Sequence, residues 1–314
     1  MTALTNFCRV ATAFTQSGNI DEDAFRAYLQ RFIDTGTGVY LGSGGIGEGH
    51  ALKWEELRRV YQIGVDACKG KIPVYANIPE QFTARDTITH AELAIECGVE
   101  AVNIYGAEGR HEFVPTDHEL TAYFDTVLSA VKFPIALAAQ PGIGYPVKAS
   151  IVAAMCRKHR HVIAVNLTGV PDSYFLYLRE AVDRDLAYYV QVTGSLNLFV
   201  LGAAGIVGAE MNIIPKTYQR YLNLYQDGNF AEMGRVYADI KRYIAFTQEW
   251  NPAPTRWIKM AMLALNLPGG AGGIREPYMI PPEAEMTRFT DGLLRLHVPE
   301  IDAMAHAAGL TIPR

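Results

Sequence analysis

The stretch Gly42-Ser43-Gly44-Gly45-Ile46-Gly47, inside GVYLGSGGIGEGH (38–50), decides the fold. Letter for letter it matches G-x-G-x-x-G, the turn that cradles a pyrophosphate at the start of a dinucleotide-binding unit. That reading needs context. The turn should close the first β-turn-α unit, and an acid should end the next strand about 20 residues on. Here the glycines follow the second β-rich run, and a helical segment occupies the expected acidic position. The next apolar run reaches its acid only at Glu80. The motif is therefore read as a loop at a barrel mouth. Glycines there let backbone N–H groups approach an anion, or they serve a tight turn that needs positive φ.

The flanking pattern supports a barrel. Eight short β-rich runs follow one another: FCRVATAF (7–14), GVYLGS (38–43), IPVYANI (72–78), EAVNIYG (100–106), PIALAAQ (134–140), VIAVNLT (162–168), LAYYVQVTG (186–194) and GIVGAEM (205–211). They are apolar almost throughout, the mark of parallel strands covered on both faces. Amphipathic segments separate them. Residues 21–36 place Phe25, Leu29, Phe32 and Ile33 on one face, begin with acids and stop at Gly36. Eight such units predict an α/β fold, a (β/α)8 TIM barrel over residues 1–225. An open doubly wound sheet is the alternative. After Pro215 helical segments separated by Pro/Gly-rich breaks predict a C-terminal helical extension, residues 226–314, packed on the barrel.

The chain has 314 residues, 49% hydrophobic and 19% charged, with formal net charge -5. A chain of this length and composition can bury a sizeable core. The acidic balance argues against a nucleic-acid partner. No run approaches the 18 apolar residues of a membrane span, and the first residues lack the apolar segment of a signal peptide. Cys8, Cys68, Cys97 and Cys156 show no metal spacing and read as reduced thiols, so a cytoplasmic location is expected.

In order and spacing these segments resemble the dihydrodipicolinate synthase / N-acetylneuraminate lyase family, over nearly the whole chain. GGIGE (44–48) sits where that family has G-T-T-G-E or G-S-T-G-E, and KWEELRRV follows as its L-x-x-x-E-R helix does. PIALAAQPGIGYPV is similar to the fifth strand and its loop, and VIAVNLTG to the sixth strand. VTGSLNLFVLGAAGIVGAEMNIIPK and GGIREPYMIPP are similar to the closing segments. The resemblance implies a barrel enzyme of lyase type that acts on pyruvate-like oxo-acids through a lysine Schiff base. It also implies a homo-oligomer, dimer or tetramer, and no cofactor or metal.

The departures fall on the chemistry. At the family's Schiff-base lysine position stands Asn166, whose amide nitrogen is no nucleophile. At its tyrosine position stands Ala138, and the hydroxyl pair of the glycine loop is Gly45-Ile46. Schiff-base chemistry is therefore not expected, and the catalytic residues stay unassigned. Among other lysines only Lys216, after the eighth strand, is placed to reach the rim. The small-acid site is expected at Ser43, Gly44, Gly45, Ile46, Tyr105, Asn166 and Val207. Strand periodicity turns Asn166 inward, where it binds a ligand oxygen or satisfies buried backbone groups.

Glu48 and His111 are the candidate acid/base groups, although Glu48 serves equally well as an acceptor that holds its loop. Arg110 suits a carboxylate, or else the 106–118 loop is a solvated or intersubunit segment. His111, Glu112 and His118 lack a recognised metal spacing. Three functions stay open: a lyase or hydro-lyase on a small oxo-acid without a Schiff base, a non-catalytic barrel that binds a small carboxylate or a partner subunit, and an unrelated reaction on the same scaffold. The aromatic and methionine content of the extension, at Tyr243, Phe246, Trp250, Trp257, Met260 and Met262, predicts an apolar face for association.

Overall fold

The structure, a computed structural model, describes residues 4–109, 113–250 and 254–313. Eight strands pair in parallel in chain order, and β1 pairs with β8, so the sheet closes into a barrel. The strands are β1 (Thr5–Arg9), β2 (Gly38–Leu41), β3 (Val74–Asn77), β4 (Ala101–Ile104), β5 (Ile135–Ala139), β6 (Val162–Leu167), β7 (Ala187–Val190) and β8 (Gly205–Gly208). Helices α1 (Glu22–Ile33), α2 (Trp54–Cys68), α3 (Ala84–Glu96), α4 (Asp117–Ala130), α5 (Ala149–Lys158), α6 (Asp172–Ala181), α7 (Ser195–Val200) and α8 (Pro215–Gln226) follow the strands in turn. Helix α1 starts where Asp21 accepts from the Ala24 N–H, and it buries Phe25, Tyr28, Leu29 and Phe32. The four cysteines are free. No helix among the described residues is long and apolar enough to cross a membrane.

Alternation along the strands fills the barrel in layers. The first is aromatic: Phe7 lies 5.1 Å from Tyr40, 4.8 Å from Tyr75 and 4.9 Å from Tyr189, measured between ring centroids. Ala136 and Ala164 on the facing strands leave room for these rings. The next layer is polar. Asn166 Nδ2 donates to Tyr40 Oη at 2.9 Å and to Asn103 Oδ1 at 2.8 Å. Asn103 donates to Asn77, and Asn77 Nδ2 donates to Tyr105 Oη at 3.0 Å.

The extension comprises α9 (Phe230–Trp250), α10 (Pro254–Ala264), α11 (Glu283–Leu294) and α12 (Pro299–Ala307). Glu300 accepts from the Thr217 N–H at 2.7 Å and the Lys216 N–H at 3.1 Å, so α12 caps the start of α8. The apolar face expected on this extension is not on the surface. Tyr243, Phe246, Trp257, Met260 and Met262 are all buried within the chain, because α9 and α10 pack on one another, on α8 and on α11. Other large apolar side chains do face solvent, Val200 of α7 (73% exposed) and, within the extension, Phe230 (57%) and Met279 (69%).

One buried ionic contact ties the extension to the glycine loop. Lys259 Nζ on α10 lies 3.0 Å from Glu48 Oε1, and both side chains are fully buried. The same ammonium donates to the Thr12 carbonyl at 2.5 Å. Arg275, beyond α10, donates its N–H to Glu48 Oε2 at 2.8 Å and forks onto Glu56 at 2.6 and 2.7 Å. Removing one partner of a buried pair strands the other charge without water. Lys259→Met is therefore expected to destabilise the fold by roughly 3–5 kcal/mol, measured by denaturant unfolding. A loss below about 1 kcal/mol would mean that Glu48 finds another counter-charge.

Candidate active site

The glycine loop is wound tightly on itself. Ser43 Oγ accepts from the Gly47 N–H at 2.8 Å, the Ser43 carbonyl accepts from Gly49, and Thr12 Oγ1 donates to the Gly47 carbonyl at 2.8 Å. Glu48 sits in the left-handed region at φ 56 and points away from the mouth into its ion pair. These bonds use the donors of residues 47–50. Among the described residues the N–H groups of Gly44, Gly45 and Ile46 have no hydrogen-bond acceptor. A Cβ on Gly44 would lie 2.0 Å from Glu80 Oε2, so only glycine lets that carboxyl lie against the loop. A Cβ on Gly45 would meet nothing within 4 Å.

These residues border a cavity of about 800 Å³. Ser43, Gly44, Gly45, Ile46 and Tyr105 share it. Its walls also carry Arg9, His50, Glu80, Glu108, Gln140 and Arg256. A second cavity of about 400 Å³, lined by Thr168, Gln191, Thr193, Val207 and Glu210, meets the first at Arg9, Ile46 and Pro254. Val207 therefore borders the neighbouring chamber and not the glycine-loop chamber.

Asn166 borders neither cavity. It is buried one layer below, with its amide engaged by Tyr40 and Asn103, and it connects to the site only through the Asn103–Asn77–Tyr105 chain. Ala138 is its register partner on β5 and is also buried. Glu48, buried against Lys259, borders neither cavity. His111, with Arg110 and Glu112, lies outside the described residues. Lys216 is exposed at the start of α8 and borders neither cavity. No group of three His, Cys, Asp or Glu side chains among the described residues is arranged to hold a metal ion.

The sequence reading missed Arg9. It ends β1 two residues after Phe7, so the alternation that turns Phe7 into the barrel turns Arg9 into the mouth. A lone charge inside the run FCRVATAF (7–14) was the available signal. Arg9 Nη2 donates to Thr168 Oγ1 at 3.3 Å, and its charge acts on the Tyr105 hydroxyl. Burial pushes that hydroxyl above its ordinary range, against the pull of Arg9. His50 Nδ1 lies 2.5 Å from the Gly44 carbonyl, which can only accept, so that nitrogen carries the proton and Nε2 is the free acceptor when the ring is neutral.

The Glu80 carboxyl lies against the loop at Gly44. Burial raises its pKa above the usual 4.5; Glu108 pushes it further, and Arg9 and His50 pull it back. The site thus combines free N–H donors, a guanidinium and a carboxyl held toward its neutral form.

The model of the dihydrodipicolinate synthetase family matches residues 4–293. The chain is 27% identical over 275 residues to a 4-hydroxy-tetrahydrodipicolinate synthase from Rhodospirillum centenum, covering 85% of this chain and 89% of the relative. It is 25% identical over 295 residues to an uncharacterized DapA-like lyase from Rhizobium meliloti, covering 92% and 95%. Among solved structures, the fold is similar to YagE of E. coli K12, solved in complex with pyruvate, at TM-score 0.83 and 20% identity, covering 94% of this chain and 99% of that one. It is equally similar to the dihydrodipicolinate synthase DapA-2 of Bacillus anthracis, at TM-score 0.82 and 22% identity over the whole of both chains.

An anionic ligand on this loop would face the Glu80 carboxyl, so its charge state should tune binding. Glu80 keeps its proton above 4.5 because its folded value is raised; the repulsive charge appears as pH climbs through that raised value. Affinity for a small carboxylate probe is expected to fall by roughly tenfold between that point and neutrality, and Glu80→Gln to remove the fall. Calorimetry across that pH range tests it; a flat profile in the unaltered protein would place bound acid away from Glu80.

Proposed function

The chain belongs to the dihydrodipicolinate synthetase family, and we propose that it acts on a small oxo-acid as a lyase or hydro-lyase without forming a lysine Schiff base. The observation that carries this reading is the lining of the glycine-loop cavity. Among the described residues it holds two arginines, two histidines and two glutamates, but no lysine. The family resemblance puts the nucleophile on the sixth strand, where Asn166 stands, and an amide forms no iminium with a ketone. Lys259 offers no substitute. It is fully buried and paired with Glu48.

The substrate carboxylate sits on the Gly44, Gly45 and Ile46 N–H groups. Each charge-assisted bond to such a donor contributes about 1.5–3 kcal/mol, so two hold a weak ligand without the hydroxyls that the family places here. The carbonyl oxygen turns toward Arg9 and Tyr105. Without an iminium, an enolate needs another sink for its charge. A guanidinium aimed at the oxygen, beside a phenol, is an oxyanion site of the required kind. Glu80 and His50 are the groups placed to move protons, Glu80 because burial holds it toward its acid form and His50 through Nε2. This work takes place in a reducing compartment such as the cytoplasm, in keeping with four free thiols.

Two measurements test the reading. Pyruvate with borohydride is expected to leave the intact mass unchanged; a reduced pyruvyl adduct on any lysine would overturn the amine-free chemistry. Gly45→Val adds a side chain where a Cβ meets nothing within 4 Å, so the fold is kept while the approach to the N–H groups is blocked. Pyruvate binding to this variant should weaken by roughly tenfold or more, the loss of at least one such bond. Equal affinity in a folded variant would show that the carboxylate lies elsewhere.

A further inference from the structure

Arg256 is the one cavity arginine that the proposed chemistry does not use. It stands in the first turn of α10 and borders the 800 Å³ chamber. Its Nε is buried without a hydrogen-bond partner. Among the described residues its guanidinium has no carboxylate within ion-pair distance, and its recorded contact is the Tyr278 ring at 6.0 Å. Tyr278 in turn lies edge-on to His50 at 5.7 Å, so the three form one wall. Other arginines of this chain are used differently. Arg59 forks onto Glu22 and Arg275 onto Glu56, while Arg31 and Arg184 donate to backbone carbonyls.

Among the described residues no acceptor or carboxylate accounts for Arg256. A buried guanidinium nitrogen without an acceptor is unfavourable. The dipole of α10 opposes a cation in its first turn. An anion in the cavity relieves both. The chamber is also large for a three-carbon acid, being of the size that holds ligands of many more atoms.

We infer that the substrate carries a second anionic group, a carboxylate or a phosphate, and that Arg256 binds it while the glycine loop and Arg9 hold the first carboxylate. This rests on the reading that the loop cradles a carboxylate. A guanidinium suits the task, since its planar fork pairs bidentately with either oxyanion. The extension thus contributes specificity to a site whose first anion is held by the barrel.

The test uses the full-length chain and three probes in calorimetry: pyruvate as the single-carboxylate reference, 2-oxoglutarate for a second carboxylate, and 3-phosphoglycerate for a phosphate. The unaltered protein is expected to bind one of the two larger probes at least tenfold tighter than pyruvate, and the tighter one identifies the second group. Arg256→Leu should abolish that preference and leave pyruvate affinity within twofold. Arg256→Gln serves as the second variant if thermal melting shows the first to be unfolded. No preference in the unaltered protein, or a preference that survives loss of the guanidinium, overturns the inference and leaves the loop reading standing. Unchanged pyruvate binding in Gly45→Val overturns the loop reading instead, and the Arg256 comparison between the larger probes is then read alone. Absence of binding by all three probes overturns both.

Discussion

The site depends on a charge that has nowhere else to go. Glu48 is fully buried behind the glycine loop, and Lys259 from α10 is its counter-ion. Charges of this kind cost several kcal/mol each to desolvate, so the pair must stay together wherever the surrounding chain goes. Through it three distant segments become one body. Lys259 also holds the Thr12 carbonyl, Thr12 holds the Gly47 carbonyl, and Arg275 clamps Glu48 and Glu56. The left-handed backbone at Glu48 is kept by these bonds. With the rear of the loop fixed, Gly44, Gly45 and Ile46 at its front border the cavity, their N–H groups without an acceptor among the described residues.

The barrel interior explains why the mouth is where chemistry can happen. Phe7, Tyr40, Tyr75 and Tyr189 close the lower barrel with rings. The amides of Asn77, Asn103 and Asn166 then satisfy one another and the tyrosine hydroxyls above and below. A buried polar layer is tolerated only when its members are paired, and this one leaves Asn166 no donor to offer a ligand. The first groups with spare capacity are Arg9, Tyr105 and Glu80, one step higher. Relatives of this chain bear the names of synthases and lyases, and the described residues gathered here include guanidinium, phenol and carboxyl groups.

Much of this was legible in the residues. Eight apolar runs in alternation with amphipathic segments require a parallel sheet covered on both faces and favour a barrel over the open sheet; closure itself is the pairing of β1 with β8. The position of Gly42–Gly47 after the second strand removed the dinucleotide reading and put the loop at the mouth. Ser43, Gly44, Gly45, Ile46 and Tyr105 do share one chamber. Each of these inferences uses local spacing, and local spacing is what strand and helix periodicity record.

Only the tertiary structure decided the rest, because the deciding contacts join residues far apart in the chain. Lys259 meets Thr12 across 247 residues, and Arg275 meets Glu48 across 227. In the sequence Lys259 is one more helical lysine and Glu48 one more acid beside a glycine turn. Their burial against each other took Glu48 out of the candidate chemistry. The aromatic extension likewise suggested an exposed face, whereas helix packing turned those rings inward and left Arg256 and Tyr278 on the cavity wall. Asn166 points inward as alternation requires, but whether an inward amide is free or satisfied depends on what the neighbouring strands bring to the same height. Periodicity sets the direction of a side chain; its partners are set by how the barrel closes.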